Sequence, residues 1–184
     1  CFKIGAVIVP LNTALSAEEV KYILNHSESS VLVVHEQFMR IVNTVRPNLE
    51  WAREIIVVSD ESPNEGFLLF SQLMPEAAPQ RPDVGVSGEN NISIIYTSGT
   101  TGNPKGVMLT HDNFLSQAEN IFSEMDELIV EDDLFLSFLP LSHVLERTCG
   151  YYGPLYVGAT VAFAENIETL LDNFKEIRPT IIIS

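Results

Sequence analysis

The sequence predicts an α/β fold built from parallel-sheet βαβ units with flanking helices, and three observations carry that prediction. Short runs of Val and Ile recur along the 184 residues, stretches with helical spacing of apolar residues separate them, and turn-forming residues mark the junctions. Residues 6–11 read as a strand, and Ser16-Ala-Glu-Glu19 is a capping box that opens a helix through Asn25. Residues 30–35 read as a strand, 36–45 as a helix closed before Pro47, and 54–59 as another strand. Helices between such strands are what a βαβ crossover requires, which is why the alternation specifies parallel sheet, and such crossovers are right-handed almost without exception.

The composition then shifts to Pro, Gly, Ser, Asn and acids, interrupted by an apolar turn at residues 67–74 with helical character. The domain organisation read from this is a first α/β unit at 1–60, a linker at 61–91 and a second α/β unit at 92–184. Within the second unit, residues 92–97 read as a strand, 98–104 as a loop, 106–110 as a short strand and 113–128 as a helix. Strands follow at 133–139, 159–164 and 180–183, separated by a Gly-interrupted helix at 144–157 and a helix at 167–177.

Charge and composition exclude several functions. A net charge of −15, from 25 acids against 10 bases, argues against nonspecific nucleic-acid binding, which requires a basic stripe to displace counterions. It leaves anionic ligands open, because backbone N–H groups and one lysine can build a phosphate site on an acidic surface. No apolar run has the length to span a bilayer, and the opening residues lack a secretory layout, so the chain reads as cytoplasmic. Cys1 and Cys149 form neither a metal spacing nor a disulfide framework, and His26, His35 and His111 have no metal-like spacing. No metal ligand is assigned. The chain starts without Met in an apolar segment and stops within a β-branched run, so both ends read as cuts in a longer enzyme.

The chemistry concentrates in Tyr96-Thr-Ser-Gly-Thr-Thr-Gly-Asn-Pro-Lys-Gly106. Gly99 and Gly102 allow backbone conformations closed to other residues, so successive N–H groups can turn toward one anion. Thr97, Ser98, Thr100 and Thr101 add short rotatable donors. Lys105, held behind Pro104, supplies charge to neutralise a departing pyrophosphate. The spacing differs from the P-loop of nucleoside triphosphatases, because Gly106 rather than Ser or Thr follows the lysine. A Ser/Thr/Gly-rich surface loop is the plain alternative, but a loop at the carboxyl end of a parallel strand is where open α/β sheets bind ligands.

This loop resembles the signature loop of the adenylate-forming superfamily, the AMP-dependent synthetases and ligases. The flanking Gly5-Ala-Val-Ile-Val-Pro-Leu-Asn12 and Val107-Met-Leu-Thr-His111 are also similar to that family, so the resemblance covers nearly the whole chain. It implies an internal piece of the large N-terminal domain of an acyl-CoA synthetase. It also implies that Thr97, Ser98, Gly99, Thr100, Thr101, Gly102 and Lys105 bind ATP, with Mg²⁺ sharing the phosphate charge. A substrate carboxylate then attacks the α-phosphorus, and a thiol, that of CoA, takes the acyl group. Leu139-Pro-Leu-Ser-His-Val-Leu-Glu-Arg147 resembles the long-chain fatty-acid–CoA ligase form, which implies a place for His143 near the acyl and adenylate groups and adds it to Lys105 as a catalytic candidate.

Other readings stay open. His143 at a helix start can instead bond neighbouring backbone, Glu146 and Arg147 read as a structural ion pair, and the aromatics of residues 150–156 read as core. The activity alternatives are an aryl or short-chain acyl-CoA ligase, or a non-catalytic acidic domain that binds a protein. The resemblance places the Mg²⁺-binding acid, the ribose aspartate, a hinge and a catalytic lysine outside these residues, so the isolated chain is expected to be inactive. Fatty acid, ATP and CoA are the expected partners of the longer enzyme, together with peripheral membrane contact, and self-association through exposed strand edges is expected of the chain itself.

Overall fold

The computed structural model describes residues 1–60, 66–76, 80, 82–97, 103–125 and 128–184. Contacts gather into two compact units, one of residues 13–84 and 96–106, the other of residues 1–12, 85–95 and 107–184.

In the unit containing residues 13–84, helix α1 (Ala17–His26) begins at the expected capping box. The Glu19 amide donates to Ser16 Oγ at 3.4 Å and the Ser16 amide donates to Glu19 Oε2 at 2.8 Å. Helix α2 (Met39–Val45) follows a 3₁₀ turn (Glu36–Phe38). Strands β1 (Val31–His35), β2 (Glu54–Val58) and β3 (Leu68–Leu69) form one parallel sheet in that order, with Val31 opposite Glu54 and Ile56 opposite Leu68. Helix α3 (Phe70–Glu76) leaves β3 directly. The core is aliphatic: Val20, Ile23 and Leu24 of α1, Val42 and Val45 of α2, and Leu32, Ile55, Val57 and Leu69 of the strands are all buried. The buried positions lie on one face of each helix and on the inward set of each strand, which is the burial pattern a βαβ unit requires.

Strands β4 (Asn91–Thr97) and β5 (Lys105–Thr110) make a two-stranded sheet. The expected strand at residues 6–11 reduces to a single parallel bridge, Ile8 with Ser93, fixed by Ile8 N–H to Ile92 O at 2.8 Å and Ile94 N–H to Ile8 O at 2.9 Å. Pro10 has no N–H to continue a ladder, which accounts for the short pairing.

Helix α4 (His111–Ser123) starts two residues before the expected point. Thr110 is its cap, donating its amide to Asn113 Oδ1 at 2.9 Å and accepting the Asn113 amide on Oγ1 at 3.2 Å. Strand β6 (Leu134–Ser137) lies between β7 (Thr160–Phe163) and β8 (Ile181–Ile182) in a second parallel sheet, with Phe135 opposite both Val161 and Ile181. The helix expected at 144–157 divides into a π-helical stretch (Glu146–Tyr152) and α5 (Gly153–Val157). Helix α6 (Leu170–Ile177) precedes β8. Gly153 lets the α5 segment close on α4, since a Cβ there would lie 1.9 Å from the Phe122 ring. The fold class is thus the expected one: mixed α/β with parallel sheets and flanking helices.

Candidate functional site

The phosphate-binding candidates fall between the end of one strand and the start of the next. Thr97 is the last residue of β4 and Lys105 the first of β5, and both are exposed. Ser98, Gly99, Thr100, Thr101 and Gly102 lie outside the described residues. Lys105 makes no ion pair among the described residues, where the pairs are Lys21 with Glu18 and Lys175 with Asp172. Its ammonium is therefore uncommitted to any described carboxylate.

Both described stems of this loop meet α1. On the entering side, Tyr96 Oη and His26 Nδ1 are 2.7 Å apart, and the His26 ring stacks on Tyr22 with centroids 5.2 Å apart. On the leaving side, Asn103 and Pro104 line a depression of about 530 Å³ together with Lys21, Tyr22, Asn25 and His26. Desolvation, with Tyr22 nearby, raises the Tyr96 hydroxyl above its ordinary pKa, so it stays protonated and able to donate. The sequence offered no signal for this pair, because seventy positions separate its members.

His143 sits where the sequence placed it, just beyond the carboxyl end of β6, with an exposed ring. Its main chain is committed: its N–H donates to Pro140 O at 2.9 Å and its carbonyl accepts the Arg147 amide at 3.1 Å. The turn thus engages the His143 backbone on both sides and leaves the side chain exposed.

The expected Glu146–Arg147 ion pair does not form. Consecutive helical residues do not face each other, so the two side chains diverge. Glu146 is 1% exposed, and its Oε1 accepts the Ser137 hydroxyl at 2.5 Å. Arg147, 9% exposed, donates from Nε to Leu141 O at 2.8 Å and from a terminal nitrogen to Tyr152 Oη at 3.4 Å. Gly150 explains how the carboxyl is accommodated: a Cβ there would lie 2.6 Å from the Glu146 carboxyl carbon. That glycine four positions on was the available signal. The aromatics divide as well, with Tyr152 packed edge-on against Phe114 at 4.8 Å while Tyr156 is exposed.

Burial pushes the Glu146 carboxyl above the ordinary carboxylate range, against the opposing hydrogen bonds from Ser137 and the Phe138 backbone. Its Oε2 has no partner among the described residues, which is the arrangement of an acid that resists ionisation. A raised folded-state pKa means the folded chain holds more protons than the unfolded one. Stability from this group is therefore complete below the unfolded value near 4.5 and declines as pH rises through the folded value. Glu146→Gln is expected to flatten that decline and to unfold at higher denaturant than the parent at neutral pH. Urea titrations of both proteins at a series of pH values check this, and parallel pH profiles would count against it.

The AMP-binding enzyme family matches residues 1–184, the whole chain. The chain belongs to this family. Among curated relatives of this AMP-binding enzyme chain, the peroxisomal long chain acyl-CoA synthetase 7 of Arabidopsis thaliana is 31% identical over 202 residues, covering 100% of this chain and 27% of the relative. The human long-chain-fatty-acid–CoA ligase 1 is 34% identical over 197 residues, covering 98% of this chain and 28% of the relative. The chain thus spans between a quarter and a third of these relatives' length. Among solved structures, the anthranilate CoA ligase AuaEII in complex with anthranoyl-AMP aligns with a TM-score of 0.89 at 30% identity, covering 98% of this chain and 35% of that one. The inhibitor-bound N-terminal domain of FACL13 from Mycobacterium tuberculosis aligns with a TM-score of 0.83 at 30% identity, covering 98% and 44%. The family and the fold read from the loop and its flanks are both met by these similarities.

Proposed function

We propose that this chain is the phosphate-loop part of an ATP-dependent long-chain fatty-acid–CoA ligase. The reading is supported by end-to-end similarity to long-chain ligases in a chain whose β4 and β5 bracket a Gly/Ser/Thr loop with exposed Thr97 and Lys105 at its stems. Residues Thr97–Lys105 bind the polyphosphate of ATP while a fatty-acid carboxylate attacks the α-phosphorus. The α–β phosphoanhydride bond breaks, pyrophosphate leaves, and the acyl adenylate passes its acyl group to the CoA thiol with release of AMP. The displacement needs positioning and charge compensation rather than a protein nucleophile, which suits a set of N–H and O–H donors with one ammonium. Mg²⁺ accompanies the nucleotide and is assigned to no described residue. His143, with its ring exposed at the carboxyl edge of β6, serves the acyl and adenylate end.

A second reading, an aryl-acid ligase, draws support from the likeness to the anthranilate CoA ligase. Pyrophosphate exchange by the whole protein with long-chain, short-chain and aryl acids separates the two. Exchange greatest with the long-chain acids is the expected result, preference for a benzoate-type acid selects the second reading, and no exchange with any acid defeats both. The 184-residue chain alone is expected to show no sustained pyrophosphate release, which a coupled phosphate assay checks directly.

A further inference from the structure

We propose that Glu146 and Arg147 are positioning residues that hold the turn carrying His143, an inference that rests on the ligase reading for its effect on rate. Strand β6 ends at Ser137, and by Glu146 the chain has turned through His143 and entered the π-helical stretch. Each of the two buried side chains reaches back across that turn. Glu146 returns to the strand end at Ser137, and Arg147 Nε returns to the carbonyl of Leu141 in the middle of the turn. Two main-chain bonds, His143 N–H to Pro140 O and Arg147 N–H to His143 O, close the same segment. The guanidinium also donates to Tyr152 Oη, and Tyr152 is wedged against Phe114 and Phe2, so the turn is tied to an aromatic cluster.

The chemistry of position 146 favours a geometric role over a packing one. Space filling above Gly150 could be met by an apolar side chain at no polar cost, whereas a buried carboxyl whose Oε2 has no described partner lowers stability. The returned benefit is a directional bond from strand end to helix start. The π-helical geometry fits the same purpose, because such widened turns are frequent at functional sites. The outcome is an imidazole that is exposed and bonded to nothing described, on a backbone that is bonded on both sides.

The test has two arms. On this chain, amide hydrogen exchange is followed at His143 and Arg147, with Phe135 and Leu136 of β6 as internal references. Glu146→Ala and Arg147→Met are expected to speed exchange at His143 by about tenfold or more while leaving the references unchanged, and Glu146→Gln, which still accepts from Ser137, to retain protection. Unchanged protection at His143 in the Ala and Met variants overturns the proposal. If Glu146→Ala also deprotects the references, it has lost the fold, and the comparison of Arg147→Met with Arg147→Lys then decides. On the whole protein, Ala and Met are expected to lower kcat for adenylation by about 10- to 100-fold with little change in KM for ATP, and Gln to recover most of it. Parental kcat in folded Ala and Met variants overturns the rate effect. An unaltered whole protein with no acid-dependent exchange overturns the ligase reading itself, while the first arm still decides whether the two residues hold the turn.

Discussion

Lys105→Ala in the whole protein is expected to lower adenylate formation by about 10²–10³-fold, the cost typical of removing one donor aimed at developing charge. The geometry argues for a loss in rate rather than in folding. Lys105 opens β5 with an exposed side chain and no described ion-pair partner, so its removal is expected to change stability by no more than about 0.5 kcal/mol. Charge accumulates on the leaving pyrophosphate as the α–β bond breaks, so the ammonium interacts more strongly with the transition state than with bound ATP. The defect therefore belongs mainly in kcat, with a smaller rise in KM for ATP. Lys105→Arg keeps the charge but replaces a compact ammonium with a broad planar fork, so intermediate activity is expected. Steady-state pyrophosphate release against ATP concentration checks all three proteins. A Lys105→Ala enzyme with nearly the activity of its parent would remove the lysine from the reaction.

The parts of the fold that sequence revealed are those governed by local rules. The capping box of Ser16 with Glu19 appears in the structure as read, and the short apolar runs became β1, β2, β6 and β7 because each is bounded by polar or turn-forming residues. Resemblance supplied the rest of the site, since the roles expected of Thr97 and Lys105 rest on a particular succession of residue types and not on periodicity. What stayed hidden was set by distance along the chain or by competition between neighbours. The pairing of His26 with Tyr96 joins a helix end to a strand end, and no local pattern encodes it. Pro10 overrode an otherwise convincing strand by withholding one N–H. The adjacent opposite charges of Glu146 and Arg147 invited an ion pair. Helical geometry separated them, and Ser137 and the Leu141 carbonyl offered better-directed partners.

Phe135→Ala is expected to cost about 3–5 kcal/mol, the range for emptying an aromatic position in a packed core. Phe135 is 1% exposed in the central strand of the β7-β6-β8 sheet, and it forms a buried cluster with Phe122 and Ala159 that Ile129, Val157, Val161 and Ile181 extend. The site has little freedom to collapse, because hydrogen-bonded strands lie on both sides of β6 and the Phe122 ring is itself buried between this cluster and Gly153. A loss of that size consumes a large part of the roughly 5–15 kcal/mol that holds an ordinary domain folded. Phe135→Leu restores most of the volume and is expected to lose less than about 1.5 kcal/mol. Urea unfolding followed by far-ultraviolet circular dichroism orders the three proteins. Because Phe135 lies two residues before Ser137, the Ala variant should also release protection at His143, together with Leu136 rather than alone. That joint loss distinguishes a weakened strand from a released turn. An Ala variant with the parental unfolding midpoint would mean that the cluster around Phe135 does not hold β6 in place.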